Sequence, residues 1–274
     1  MGRLRNLSNS RKGIRGTVTK GNIIYDAVDL EANNELYETE TTAKYPIGTR
    51  VVSCDGRVFR YALASLEVKP GFGAFNLNVF NAITGGCVNA QAVGDKSIVL
   101  LCDSTTGGTS WFGTENRMAG GYISLPTGTI TQVRRIVSHA ASANGSNVTV
   151  NLDGPLTEAV TAAEMCEVMQ NPYSALTQQG HTRASVVGVP VTTIAAGSYG
   201  WIQTWGPTWI TPSVAGVGSA ERERTLIFYS DGSVRNINDV DMSTYGSQIA
   251  GFCINVTATG DWTNPPFVML QISP

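Results

Sequence analysis

The chain has 274 residues, of which 42% are hydrophobic and 15% charged, with a formal net charge of −2. That is enough to bury a core in one large domain or two to three small ones. The near-neutral balance excludes the basic footprint of a nucleic-acid binder, and no apolar run reaches the roughly 18 residues that cross a bilayer as a helix.

The first twenty residues, MGRLRNLSNSRKGIRGTVTK, hold Arg3, Arg5, Arg11, Lys12, Arg15 and Lys20 and no acid. They lack apolar periodicity, so they build no core of their own. No hydrophobic run follows the basic residues, as a secretory signal requires. The sign then reverses through Asp26, Asp29, Glu31, Glu35, Glu38 and Glu40. Residues 1–25 are therefore expected to form a basic arm. Arg3, Arg5, Arg11, Lys12 and Arg15 would lie on acidic surface, most usefully that of a partner.

Strand signals dominate the rest of the chain. RVVSCDGRVFRYALA (50–64) reads as two β-runs around Asp55-Gly56, a strong hairpin signal. SIVLLCD (97–103) is a continuous apolar run, which suits a strand buried on both faces. GYISLP (121–126), TQVRRIVSHA (131–140) and the alternating NVTVNLDGPL (147–156) complete the middle strands. One short helix is predicted within 157–172. Thr157 or Thr161 would cap it, Val160, Ala163, Met165, Val168 and Met169 form its apolar face, and Asn171-Pro172 ends it. From residue 186 on, strand candidates recur with turn signals between them, including Asp231-Gly232. The predicted fold is mainly β: antiparallel β-sandwich or barrel domains with an extended N-terminal arm and at most one short helix. After the arm come an N-terminal β region (26–85), a middle β region with the helix (86–175) and a C-terminal β domain (176–274).

Residue chemistry points away from catalysis. Cys54, Cys87, Cys102, Cys166 and Cys253 form no CxxC pair and read as small buried hydrophobes. His139 and His181 have no serine or cysteine nucleophile tied to them in sequence. Asp231, Asp239 and Asp241 stand beside turn residues, where Asp hydrogen-bonds local backbone. NINDVD (236–241) lacks the glycine and distant glutamate of a calcium loop. We assign no catalytic residue, no metal and no cofactor, and expect a non-enzymatic protein.

The aromatic stretch GSYGWIQTWGPTWITP (197–212) carries three tryptophans and a tyrosine. On a strand, Tyr199, Trp201, Gln203 and Trp205 share one face and Ile202 and Thr204 the other. Gly206-Pro207 predicts a turn that returns residues 208–210 alongside. A nucleic-acid stacking platform would interleave Lys or Arg, and none occurs between Arg183 and Arg222. Tyr199, Trp201, Trp205 and Trp209 are therefore expected in a core or a subunit interface.

The phrases YPIGTRVVSCDGRVFRYALAS, VNLDGPL, NPYSAL, GSYGWIQTWGP and PFVMLQISP resemble many-copy virion structural proteins of tailed bacteriophages, of the capsid decoration (cement) type. The element from Tyr199 to Gly206 is the most specific of them. The resemblance implies a symmetric homo-oligomer, commonly a trimer, seated on the major capsid protein and bridging its subunits. Such a protein is made in the host cytoplasm and resides on the capsid surface, with no nucleic-acid or membrane partner. The alternative is a phage tail or host-recognition protein in which Trp111, Trp201, Trp205 or Trp209 would line a glycan site.

Overall fold

The computed structural model of the chain describes residues 24–26, 35–53, 55–77, 82–83, 86–102, 111–127, 129–178, 184–214, 217, 224–239, 248–255 and 266–274. The basic arm with Arg3, Arg5, Arg11, Lys12 and Arg15 lies outside these residues, as do Cys54, His181 and Asp241. The described chain is almost entirely β: curled antiparallel sheets that form half-barrels, with two single-turn 3-10 segments and no α-helix.

The strands run in chain order as β1 (Ile24–Asp26), β2 (Arg50–Val52), β3 (Val58–Leu63), β4 (Ala74–Asn76), β5 (Ala82–Ile83) and β6 (Ser97–Leu101). There follow β7 (Tyr122–Pro126), β8 (Thr131–His139), β9 (Asn147–Leu152), β10 (Glu167–Met169), β11 (Leu176–Thr177) and β12 (Val186–Pro190). The last five are β13 (Tyr199–Trp209), β14 (Thr225–Phe228), β15 (Val234–Asn236), β16 (Ile249–Asn255) and β17 (Phe267–Gln271). One sheet has eleven strands, with the path β1-β2-β3-β13-β17-β16-β14-β15 and β12, β4 and β11 joined alongside. The other has six, in the order β5-β10-β7-β8-β9-β6.

The smaller sheet interrupts the larger one in sequence. β4 and β11 are antiparallel partners, Asn76 opposite Leu176 and Phe75 opposite Thr177. Leu77 N–H donates to Ala175 O at 2.8 Å. The chain thus leaves and re-enters the large sheet at adjacent points. Strand pairing of β3 with β13 joins the 26–85 and 176–274 regions in one sheet.

Local chemistry explains most elements. The two Asp-Gly pairs form the β2–β3 and β14–β15 hairpins, closed by Val52 opposite Val58 and Phe228 opposite Val234. At the first, Asp55 Oδ1 accepts Arg57 N–H at 3.2 Å; at the second, Asp231 Oδ1 accepts Ser233 N–H at 2.9 Å. The alternation of β9 buries Val148, Val150 and Leu152 against Ile98, Leu100, Ile123, Leu125 and Ile136. Each such side chain stabilises the unit by about 1.5–3 kcal/mol.

Two expectations are corrected. SIVLLCD is an edge strand buried on one face only: Ile98 and Leu100 are buried while Val99 and Leu101 are half-buried. No helix forms over 157–172. Val160 exchanges backbone hydrogen bonds with Gln91, and Ala163 N–H donates to Cys87 O. Ala163 adopts φ 66°, which ends any right-handed turn there. Cys166 and Val168 then face the core two residues apart, in strand and not helical spacing. Cross-chain pairing overrides the 3.6-residue pattern.

Candidate functional site

The aromatic stretch forms β13, an uninterrupted strand with no turn at Gly206-Pro207. Its first half is buried on both faces. Trp201, 1% exposed, packs with Leu36, Val51, Phe59 and Tyr61, while Ile202 joins Ala62, Ala64 and Ile194 on the other side. Tyr61 and Tyr199 stack at 5.9 Å between ring centres, and Trp201 meets Tyr61 edge-on at 5.2 Å.

A β-bulge then splits the aromatic set. Gln203 is opposite Phe59, but Trp205 is opposite Val58, so the strand gains one residue against β3. Paired residues share a face. Trp205 therefore lies with Val58, on the face away from Trp201, which corrects the expected Tyr199–Trp205 alignment. Buried Gln203 holds the bulge: its Nε2 donates among the carbonyls of Trp205, Gly206 and Pro207 at 3.1, 3.2 and 3.0 Å. Gly206 takes φ 95°, open to glycine and strained for other residues.

Beyond the bulge an apolar face turns outward. Trp209 is opposite Phe267, and Pro207, Met269 and Phe252 form the adjoining row across three strands. Trp209, Phe252, Ile254 and Phe267 are 43%, 43%, 47% and 54% exposed. The inner face of β17 and β16 holds Val268, Leu270 and Cys253 in the core, joined by Ile210 just past the end of β13. A strand apolar on both faces, covered on only one, is an unpartnered surface. Phe252, Ile254 and Phe267 escaped the sequence reading, although FVMLQ, with Phe267 and Met269 outside and Val268 and Leu270 inside, carries the signal.

A polar rim closes the tyrosine core at its open end. Tyr61 O–H donates to Glu40 Oε2 at 3.1 Å and accepts Lys44 N–H at 3.2 Å. Burial pushes the Tyr61 phenol up to about 12. Tyr45 O–H donates to Glu35 Oε2 at 2.7 Å and, with Lys44 beside it, holds the Glu35 carboxyl below its usual range. The bond to Glu35 in turn raises Lys44.

The other sequence candidates have local roles. His139 is buried, accepts Met118 N–H through Nε2 at 3.0 Å and donates from Nδ1 to Ala140 O at 2.8 Å, as the neutral ring must. Asp231 caps its turn. Cys87, Cys102, Cys166 and Cys253 are all buried. Cys87 and Cys166 lie with sulfurs 3.3 Å apart, and the contact lowers the Cys87 thiol. Trp111 packs on the small-sheet core. Among the described residues no helix is long and apolar enough to cross a membrane.

No family model, curated protein or solved structure matches this chain.

Proposed function

We propose that this chain is a virion structural protein that decorates a bacteriophage capsid and stabilises it by bridging major capsid protein subunits. The observation that supports this reading is the outward apolar face of β13, β17 and β16, with Trp209, Phe267, Met269 and Phe252 in two adjoining cross-strand rows. Large aromatics in a contiguous patch are the residues that anchor protein interfaces. A stable contact of this kind buries about 1,600 Å² in total. Repetition over a lattice multiplies each contact, and a subunit that binds only the expanded lattice shifts the equilibrium toward it.

The test is copy number in purified particles, by quantitative mass spectrometry against the major capsid protein. A one-to-one ratio, or a simple lattice fraction of it, is expected; a few copies per particle would overturn the reading. Phe252→Ser with Phe267→Ser is expected to strip the protein from particles while the isolated chain melts within about 1 kcal/mol of wild type, since both side chains are exposed. Alanine at Arg3, Arg5, Arg11, Lys12 and Arg15 together is expected to weaken occupancy without unfolding the subunit.

The tail or host-recognition reading loses Trp201, keeps Trp209 and leaves Trp111 and Trp205 half-buried. Trp201 is sealed in the core, whereas Trp209 is exposed and accessible to a glycan. A copy number of a few to a few tens would favour it.

A further inference from the structure

A second surface lies where the two sheets meet. A cleft of about 430 Å³ opens there, lined by Arg60, Tyr122, Arg135, Asp153, Asn171 and Tyr173 among others. Its size is that of a small-molecule site, and its charges come from both sheets: Arg60 from β3 and Arg135 from β8.

Arg60 is the unusual residue. Its Nη1 donates to Gly48 O at 3.3 Å and its guanidinium carbon lies 5.7 Å from the centre of the Tyr173 ring. Its Nε is buried and has no hydrogen-bond partner. No carboxylate among the described residues forms an ion pair with it. Register places Arg50 directly opposite it on β2, a like-charge pairing that a sheet disfavours. A desolvated guanidinium N–H without an acceptor is costly, and Arg60 Nε is the one buried side-chain nitrogen so placed among the described residues. An anion in the cleft would meet the terminal nitrogens of the guanidinium, a charge that no carboxylate among the described residues pairs.

The walls are built, not incidental. Asn171 is 3% exposed; its Nδ2 donates to Ile47 O and its Oδ1 accepts Tyr173 N–H, each at 3.0 Å. Gly120 leaves room beside it, since a Cβ there would stand 2.7 Å from Asn171 Nδ2 and 3.4 Å from Arg135 Nη2. Asp153 Oδ1 accepts Arg135 N–H at 3.1 Å, which fixes a carboxylate on the rim. That carboxylate disfavours a dianion but accepts hydroxyl donors. Tyr122 and Tyr173 complete the lining, with Arg60 over the Tyr173 ring.

We propose that this cleft binds a carboxylate-bearing sugar, an acidic monosaccharide unit of a glycan. The carboxylate would meet the planar fork of Arg60, the one side-chain geometry suited to bidentate capture. Sugar hydroxyls would face Asp153 and Asn171, and the ring would lie against the tyrosines. The apolar face belongs to other strands and plays no role in this binding.

The experiment is titration of the full chain with glucuronate, glucose, acetate and inorganic phosphate, followed by NMR. Saturable glucuronate binding is expected, with glucose, acetate and phosphate each weaker by about tenfold or more. Arg60→Gln is expected to weaken glucuronate by about tenfold or more, the loss of a charge-assisted pair, and Val93→Ser, at an exposed position outside the cleft, to leave it unchanged. Should Arg60→Gln fail to fold, Arg60→Lys keeps the charge without the fork and is expected to weaken binding. No saturable glucuronate binding, equal binding by glucose or acetate, tighter binding of phosphate, or unchanged affinity in a folded Arg60 variant would each overturn the proposal.

Discussion

Tyr61 links the aromatic core to solvent chemistry. An unfolded tyrosine ionises near pH 10, whereas the folded Tyr61 holds its proton to about 12. Its folded pKa is the raised one, so its contribution is intact below pH 10 and is lost as pH climbs toward 12. Glu35 has the opposite sign: its folded pKa is depressed, so its contribution holds at neutral pH and is lost as pH falls through the folded value. Its partner Lys44 is 41% exposed at the side chain, and salt screens that pair. Thermal melts against pH are therefore expected to stay level around neutrality and drop between about pH 10 and 12. Tyr61→Phe should lower stability by about 1 kcal/mol at pH 7 through its lost hydrogen bonds and flatten that alkaline drop. An unchanged alkaline limb in the variant would assign the drop to other groups.

At the scale of elements, the bulge in β13 decides what its tryptophans do. Gln203→Leu removes the donor that serves three carbonyls, and is expected to cost about 2 kcal/mol. Denaturant melts would read the loss, and Trp205 fluorescence should report a changed environment. This bulge also marks where sequence reading stops. The Asp-Gly hairpins are legible because turn chemistry is local: Asp55 and Asp231 each bond to backbone two residues on. The alternation of β9 is legible because one face meets the core. An inserted residue leaves no such trace, because Trp201 and Trp205 keep even spacing whether or not the strand slips between them. Gly206-Pro207 reads as a turn by composition, yet β3 pairs no farther along β13 than Trp205. The missing N–H of Pro207 is then harmless beside the continuing β17 ladder. Likewise, the helical spacing over 157–172 gives no sign that Val160 pairs with Gln91, a partner nearly seventy residues away. The cleft is hidden for the same reason: Arg60 and Arg135 meet only once two sheets are assembled.

For the whole molecule, the important fact is that the smaller sheet grows from between two paired strands. The small sheet carries its own core, from Cys87 to Val168, and the large sheet holds the rest. Replacing residues 80–170 with a short Gly-Ser link is therefore expected to leave a β-protein that still unfolds cooperatively, as read by circular dichroism. A broad, non-cooperative melt would mean that the two sheets stabilise each other and fold as one. The longer strands are legible one by one, but β10 reads as helix and the division into two sheets is hidden, because β4 and β11 are three and two residues long and pair across a hundred positions.

That seam has a mechanical consequence. Tension applied to the small sheet enters the large one through Leu77 and Ala175 and meets an antiparallel ladder end-on. Hydrogen bonds loaded in this direction break in succession, starting with the Leu77–Ala175 bond and then the Asn76–Leu176 and Phe75–Thr177 pairs, instead of sharing the load as they would in shear. The β4–β11 junction is thus the first ladder that load on the small sheet meets, and opening it through both pairs would draw Leu176 and Phe75 out of the large-sheet cores.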